Sequence, residues 1–178
     1  ENEQFTISMP REWIATEFLT TANPRLESVH AWADRRGDAF VTLMLIDAEL
    51  SGDDAFFRDA VNDYVAGQYN RFALQGLLEF IDEDVAEDGT IRRSYRVIPP
   101  VDDDDDDGPD DDDDPDNDGP NRPDFLPIRT NPGQLDVFFI AEAPYMAVLQ
   151  MYTADATGNR LVNRLQSILD SLRVTPTL

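Results

Sequence analysis

QLDVFFIAEAPYMAVLQMYTADATGNRLVNRLQSILDSLRV, residues 134–174, decides the fold class. Two apolar-rich runs, 134–142 and 145–153, flank Ala143 and Pro144. Proline fixes φ and lacks an N–H donor, so this dipeptide reads as a turn and its flanks as the strands of a hairpin. From 157 to 172 the period changes. Leu161, Val162, Leu165, Ile168, Leu169 and Leu172 recur every three or four residues, the apolar stripe of an amphipathic helix. Strands joined by so short a turn must be antiparallel, because a parallel pair needs a crossover of a dozen residues or more.

The same signals recur upstream. Residues 3–9 place Phe5, Ile7 and Met9 on one face, the period of a half-buried strand that Pro10 ends. A second strand starts at residues 13–16. A third spans 26–33, with Ser28, His30 and Trp32 on one face and Val29, Ala31 and Ala33 on the other. After the turn Arg35-Arg36-Gly37-Asp38, residues 39–48 form a strand with a strongly apolar centre. Ser51 suits an N-cap, and Asp53 and Asp54 suit the positive end of a helix dipole. Phe56, Phe57, Ala60, Val61, Tyr64, Val65 and Tyr69 then recur at helical spacing, predicting an amphipathic helix over 53–69, about five turns by its rise. Strand patterns return at 77–81 and 90–98, with Asp88-Gly89 in the connection between them. Runs of strands without βαβ alternation predict an α+β fold: an antiparallel sheet packed with two amphipathic helices. The expected organisation is a single domain over 1–178 with an inserted acidic loop at 99–124.

Composition bounds the function. The 178 residues are 41% apolar and contain no cysteine, which excludes disulfides, thiolate metal sites and cysteine nucleophiles. The longest apolar stretches, 39–46 and 137–141, are far too short to span a bilayer. The net charge is −23. Residues 99–124 hold fourteen Asp and one Arg, a net −13, so the other 152 residues carry −10. Nucleic acid and anionic membrane surfaces would be repelled, while cations and basic partners would be attracted. All 14 basic residues are Arg. An acidic surface without Lys suits a salt-adapted protein, and Arg-favouring codon usage accounts for the same bias. The chain opens on Glu1, which fits a removed signal peptide or lipid-anchored leader, and fits a trimmed chain equally well.

The insert carries the sharpest chemical signal. Calcium loops place carboxylates at positions 1, 3 and 5, Gly at 6, a backbone carbonyl at 7 and acidic groups at 9 and 12. With Gly108 at position 6, positions 1, 3 and 5 are Asp103, Asp105 and Asp107. Pro109 supplies the carbonyl, and Asp111 and Asp114 fall at 9 and 12. Asp114 begins a second frame through Asp116, Asp118 and Gly119, left incomplete by Arg122 and Phe125 at its positions 9 and 12. Chained units of this kind resemble thrombospondin type 3 calcium repeats, which implies Ca²⁺ as the ligand. The other reading is a solvated acidic run, since blocks of like charge repel themselves into extended chain.

Other constellations are weaker. His30 is the sole histidine, with no nucleophile motif nearby, and a structural role beside Trp32 is expected of it. The pairs Asp82/Asp84 and Glu83/Glu87 have the chemistry of glycosidase carboxylates, but 37 acidic residues produce such pairs without function. No Walker or Rossmann phosphate loop is present. The aromatic stripe of the first helix reads as core, with a partner groove as the sharper alternative.

Two stretches carry a family resemblance. FTISMPREW, residues 5–13, resembles the opening strand of PsbP-like domains, with Glu12 where that family often has Gly. NRLVNRLQSILDSLRV, residues 159–174, is similar to their closing helix and exit, and VFFIAEAPYMAVLQMYTADA, residues 137–156, fits the preceding hairpin. The family includes extrinsic photosystem II subunits, bacterial lipoproteins and a eukaryotic binder of the Ran GTPase. The resemblance implies a non-enzymatic extracytoplasmic binding or assembly module, an accessory subunit of a larger complex, with a protein partner and a possible lipid anchor. The alternative expectation is a structural or adhesive surface protein whose subunits are bridged by calcium.

Overall fold

A computed structural model describes residues 5–18, 26–50, 54–99, 131–155 and 159–174. The elements run β1 (Phe5–Thr6), β2 (Ile14–Phe18), β3 (Leu26–Ala33), β4 (Ala39–Asp47), α1 (Asp54–Leu74), β5 (Leu78–Val85), β6 (Ile91–Val97), β7 (Gly133–Glu142), β8 (Tyr145–Ala154), α2 (Asn159–Ser171) and β9 (Arg173–Val174). Seven strands form one sheet in the order β2-β3-β4-β8-β7-β6-β5, and β1 pairs with β9 apart from it. All its pairings are antiparallel. Two meanders, β2–β3–β4 and β5–β6–β7–β8, join where β4 lies beside β8. The fold is α+β, as the strand and helix patterns predict.

The apolar centre of β4 is explained by its position. Phe40, Met44 and Ile46 face the core that contains α1, whereas Ala39, Val41, Leu43 and Leu45 face the core that contains α2. Alternate side chains leave opposite faces of a strand, so a strand covered on both sides needs apolar residues at nearly every position. Its neighbour β8 divides the same way, with Met146, Val148 and Tyr152 toward α1 and Ala147, Leu149 and Met151 toward α2. Gly133 opens β7 where a Cβ would meet the Thr153 carbonyl oxygen at 2.3 Å and the Tyr152 ring at 2.6 Å. A glycine in a strand is required there by the close approach of β8.

The α1 interface contains an aromatic and polar cluster. Phe57, Val61, Val65, Tyr69 and Phe72 are buried against the sheet. The Tyr69 ring stacks on Tyr95 with centroids 5.2 Å apart, and its hydroxyl accepts a 2.6 Å hydrogen bond from Gln150 Nε2. Gln150 lies opposite Thr42 across the β4–β8 pair, and both are buried. Outside this core Arg58 of α1 pairs with Glu83 of β5 at 3.0 Å, Glu83 pairs with Arg93 of β6 at 2.7 Å, and Arg93 donates to Asn62 of α1.

Three expectations are corrected. Residues 3–9 were expected to form a strand in the meander, but among the described residues of that stretch only Phe5–Thr6 is β structure and its partner is β9. The alternation is real: Phe5 is buried, and Ile7 and Met9 pack partly against the α2-side core. Their backbone lies over that core and is held by α2, with Ser8 N donating to Ser171 Oγ at 2.9 Å. Second, α1 runs on past Tyr69 to Leu74, adding Phe72 to its buried stripe. Third, β5 continues through Asp82, Glu83 and Asp84, which carry little strand propensity. There they lie opposite Ser94, Arg93 and Arg92 of β6 on an exposed edge, where charged side chains remain in water. Ser51 and Asp53, expected at the start of α1, lie outside the described residues.

Candidate functional site

The eight calcium candidates, Asp103, Asp105, Asp107, Pro109, Asp111, Asp114, Asp116 and Asp118, lie outside the described residues. In sequence they fall between β6 and β7. Among the described residues no group of three or more His, Asp or Glu is placed to hold a metal ion. No described helix is long and apolar enough to cross a membrane.

The described residues do form a cleft of about 600 Å³ that no sequence motif marks. It opens on the α2 side of the sheet, beside the C-terminal half of α2. Phe138 and Ile140 of β7 and Arg92 of β6 line it from the sheet. The β5–β6 hairpin contributes Asp84, Ala86, Asp88 and Thr90. Across from these stand Gln166, Leu169 and Asp170 of α2 and the exit residues Leu172, Arg173 and Val174, with Glu142 at the end of β7.

Local chemistry fixes each wall. In the hairpin turn Asp88 Oδ1 accepts from Thr90 N at 3.0 Å, and Gly89 takes φ 84°, a conformation that suits glycine. The backbone bond from Thr90, followed by its side-chain bond, holds the Asp88 carboxyl below its ordinary value. Arg173 donates from Nη1 to the carbonyls of Asp170 at 2.9 Å and Leu172 at 2.6 Å, satisfying acceptors that a helix C-terminus leaves open. Arg92 forks onto Asp136 Oδ1 through Nε at 3.2 Å and Nη2 at 2.8 Å. The same oxygen accepts from the buried Ser94 hydroxyl at 2.6 Å. Both arginines are therefore committed within the fold. The cleft presents an apolar floor with the carboxylates of Asp84, Asp88, Glu142 and Asp170 around it. An anionic rim over apolar carbon suits a group that combines a hydrocarbon stem with a positive head, as Lys and Arg side chains do.

The remaining sequence candidates are dispersed. His30 lies on β3 with its ring 4.8 Å from Phe5 and 6.0 Å from Trp32, a packing environment. Asp84 reaches the cleft, while Glu83 points to the opposite face. Burial would raise the Glu83 carboxyl, but hydrogen bonds from Arg58 and Arg93 outweigh it and hold the group below its ordinary 4.5. That favours a fixed anion over a proton donor. Of the α1 aromatics, Phe57 and Tyr69 are core, Tyr64 is half-buried and Phe56 is exposed. The cleft was beyond sequence reasoning because its walls come from three separate stretches, 84–92, 138–142 and 166–174.

No family model matches the sequence, and no curated protein matches it. Solved structures do share the fold. The chain is similar to the cyanobacterial PsbP protein CyanoP of Synechocystis, at 13% identity and a TM-score of 0.55, covering 98% of this chain and 95% of that one. It is also similar to the Ran-binding protein Mog1p of Saccharomyces cerevisiae, at 11% identity and a TM-score of 0.51, covering 96% of this chain and 90% of that one. A second structure, of a Mog1 mutant, gives 12% identity and a TM-score of 0.51. At these identities the likeness establishes a PsbP-like fold.

Proposed function

We propose that this protein is a non-enzymatic binding module of the extracytoplasmic space, an accessory subunit that docks on a larger complex and carries a calcium-binding acidic loop. The observation that carries the docking role is the cleft beside α2, with apolar Phe138, Ile140 and Leu169 beneath the carboxylates of Asp84, Glu142 and Asp170. A basic side chain of a protein partner would bury its stem there and keep its charge among anions. A neighbour in fold, the yeast protein Mog1p, is itself named for binding a protein. Reversing charge at Asp84→Arg and Asp170→Arg should abolish capture of the partner from an extract of the source cells, with the unfolding midpoint unchanged. Capture of the same proteins by both forms would refute the assignment.

Calcium binding rests on the frame Asp103, Asp105, Asp107, Gly108, Pro109, Asp111 and Asp114, and on its partial continuation through Asp116 and Asp118. Each ion would gather six to eight oxygens and neutralise two charges. Ordering the chain opposes this by about 1–2 kcal/mol per residue of backbone. Affinity should therefore resemble that of extracellular modules, on the order of 10⁻⁴–10⁻³ M. A site so weak fills only where calcium is millimolar, which supports placement outside the cytoplasm, secreted or held at the cell surface by a lipid. Isothermal titration should show binding in this range. Asp105→Asn with Asp107→Asn should weaken it sharply, and Asp102→Asn should leave it nearly intact. Native mass measurement separates the module from an adhesive subunit, since a calcium-dependent polymer would replace the expected monomer.

A further inference from the structure

We infer that the outer edge of β5 is a docking strand for an extended, basic segment of another protein. This rests on the reading of the chain as a binding module and specifies the chemistry of its partner. β5 ends the seven-stranded sheet, and among the described residues no strand pairs with its outer side. Every residue of β5 after Leu78 is exposed. Such an edge presents a row of backbone donors and acceptors to any strand that can lie alongside it.

The backbone phase follows from the hydrogen bonds at the two ends of the strand. Leu77 O accepts from Ile98 N at 3.0 Å, and Ala86 N donates to Thr90 O at 2.9 Å. The register pairs Leu78 with Val97 and Val85 with Ile91, with a bulge between Phe80 and Asp82. Alternate residues of an antiparallel strand turn their amides to opposite sides. Residues 79, 82 and 84 thus face β6, while Leu78, Phe80, Glu83 and Val85 turn theirs outward.

Charge selects the occupant. All the ionisable residues from 79 to 88, Glu79, Asp82, Glu83, Asp84, Glu87 and Asp88, are acidic. The arginines opposite Glu79 and Asp84 are Arg96 and Arg92, and they give their ion pairs to Asp155 and Asp136 instead. A second copy pairing through the same edge would set carboxylates against carboxylates, which is destabilising. A strand bearing Lys or Arg reverses that sign. Phe80, Ile81 and Val85 are 54%, 52% and 47% exposed and offer apolar contact to the partner's intervening residues.

The test uses the full ¹⁵N-labelled chain and an eight-residue peptide of alternating Val and Lys, with amide exchange as readout. Saturating peptide should slow exchange at Phe80, Glu83 and Val85 at least tenfold and leave Asp84 and Ala86 unchanged. A Val/Glu peptide should protect none of them. The Val/Lys peptide N-methylated at alternate residues keeps its charge but cannot complete the ladder, so its protection should fall at least tenfold. Val85→Pro removes one outward donor without touching a bond to β6, and Glu79→Gln with Asp82→Asn removes charge from the edge without touching the backbone or the cleft. Both should weaken protection tenfold at an unchanged unfolding midpoint. Equal protection by the methylated peptide, wild-type protection of both variants, or the absence of protection at β5 would overturn the inference. Protection mapped instead to the α2 side of the cleft, residues 166–174, would overturn it too, while leaving the binding module standing.

Discussion

Replacing Tyr69 by Phe isolates one buried hydrogen bond. The ring is 1% exposed and stacks on Tyr95 at an interplanar angle of 12°, so phenylalanine preserves the packing. What disappears is the oxygen that accepts from Gln150 Nε2 at 2.6 Å. Gln150 is itself buried, and its Oε1 has no hydrogen-bond partner among the described residues, so the variant leaves both ends of that amide unsatisfied. A buried polar group stripped of its partner costs about 1–3 kcal/mol. For a chain of this size that lowers the melting midpoint by roughly 2–12 °C. Gln150→Leu should cost a similar amount by stranding the Tyr69 hydroxyl. The double variant removes both partners and should be nearer to wild type than either single, because an apolar pair leaves nothing unsatisfied. Urea unfolding of the four proteins at neutral pH measures the cycle. A double variant that loses the sum of the singles would refute the coupling. A second arm uses pH. Burial, then the neighbouring Tyr64, raises the Tyr69 hydroxyl above its ordinary 10.0. The unfolded chain therefore ionises first, and the stability is full below 10.0 and falls as pH rises above it. Tyr69→Phe should lose part of that alkaline decline.

Leu165 is buried in the α2-side core, and Leu165→Ala should cost about 2–5 kcal/mol in denaturant unfolding; a negligible change would remove it from that core. Gly133→Ala sets a Cβ against a backbone oxygen that cannot rotate away, and should cost about 1–3 kcal/mol by the same assay. Glu83 is held below its ordinary 4.5, so its contribution is present above that value and is lost as pH falls through the folded one. Glu83→Gln should flatten the acid limb of the stability curve, and an unaltered limb would show that the Arg58–Glu83–Arg93 chain contributes nothing. If the surface is salt-adapted, a variant lacking residues 99–124 should unfold at a higher temperature in molar potassium chloride, and a flat response would leave codon usage as the reason for the missing lysines.

The sequence was most legible where one periodicity met one face. The hairpin around Pro144 is a local pattern that stands as read, and in α2 Leu165, Ile168 and Leu172 are buried at the spacing expected, with Leu169 packed against the same core. The run at β4 was legible as a strand, but its burial on both faces depends on α1 and α2 arriving from elsewhere in the chain. The acidic end of β5 defied propensity because it pairs with β6 on an exposed edge where carboxylates stay in water, with Glu83 held by Arg58 and Arg93. Phe5, Ile7 and Met9 announced a buried face correctly, yet which backbone they pair with is a tertiary fact. The acidic stretch was read from composition and spacing alone, and its residues from 100 onward lie outside those described. The cleft was illegible, since Asp84, Phe138 and Asp170 share no local signal.

The adjacency of β4 and β8 also bears on how the chain is assembled. Ala39 pairs with Thr153 and Asp47 with Tyr145, the pairings of longest range in the seven-stranded sheet. During synthesis the first meander emerges with β4 apolar on both faces and lacking its inner neighbour. Until the last hairpin has been made, that strand is a naked edge with an aggregation hazard of its own. The step that ends this exposure is the zipping of β8 onto β4, a slow, non-local event of high contact order. The acidic insert lies inside the loop that this step closes. Closure entropy grows only with the logarithm of loop length, so the insert adds little to the barrier. Its net charge of −13 adds like-charge repulsion between copies of the chain over that interval.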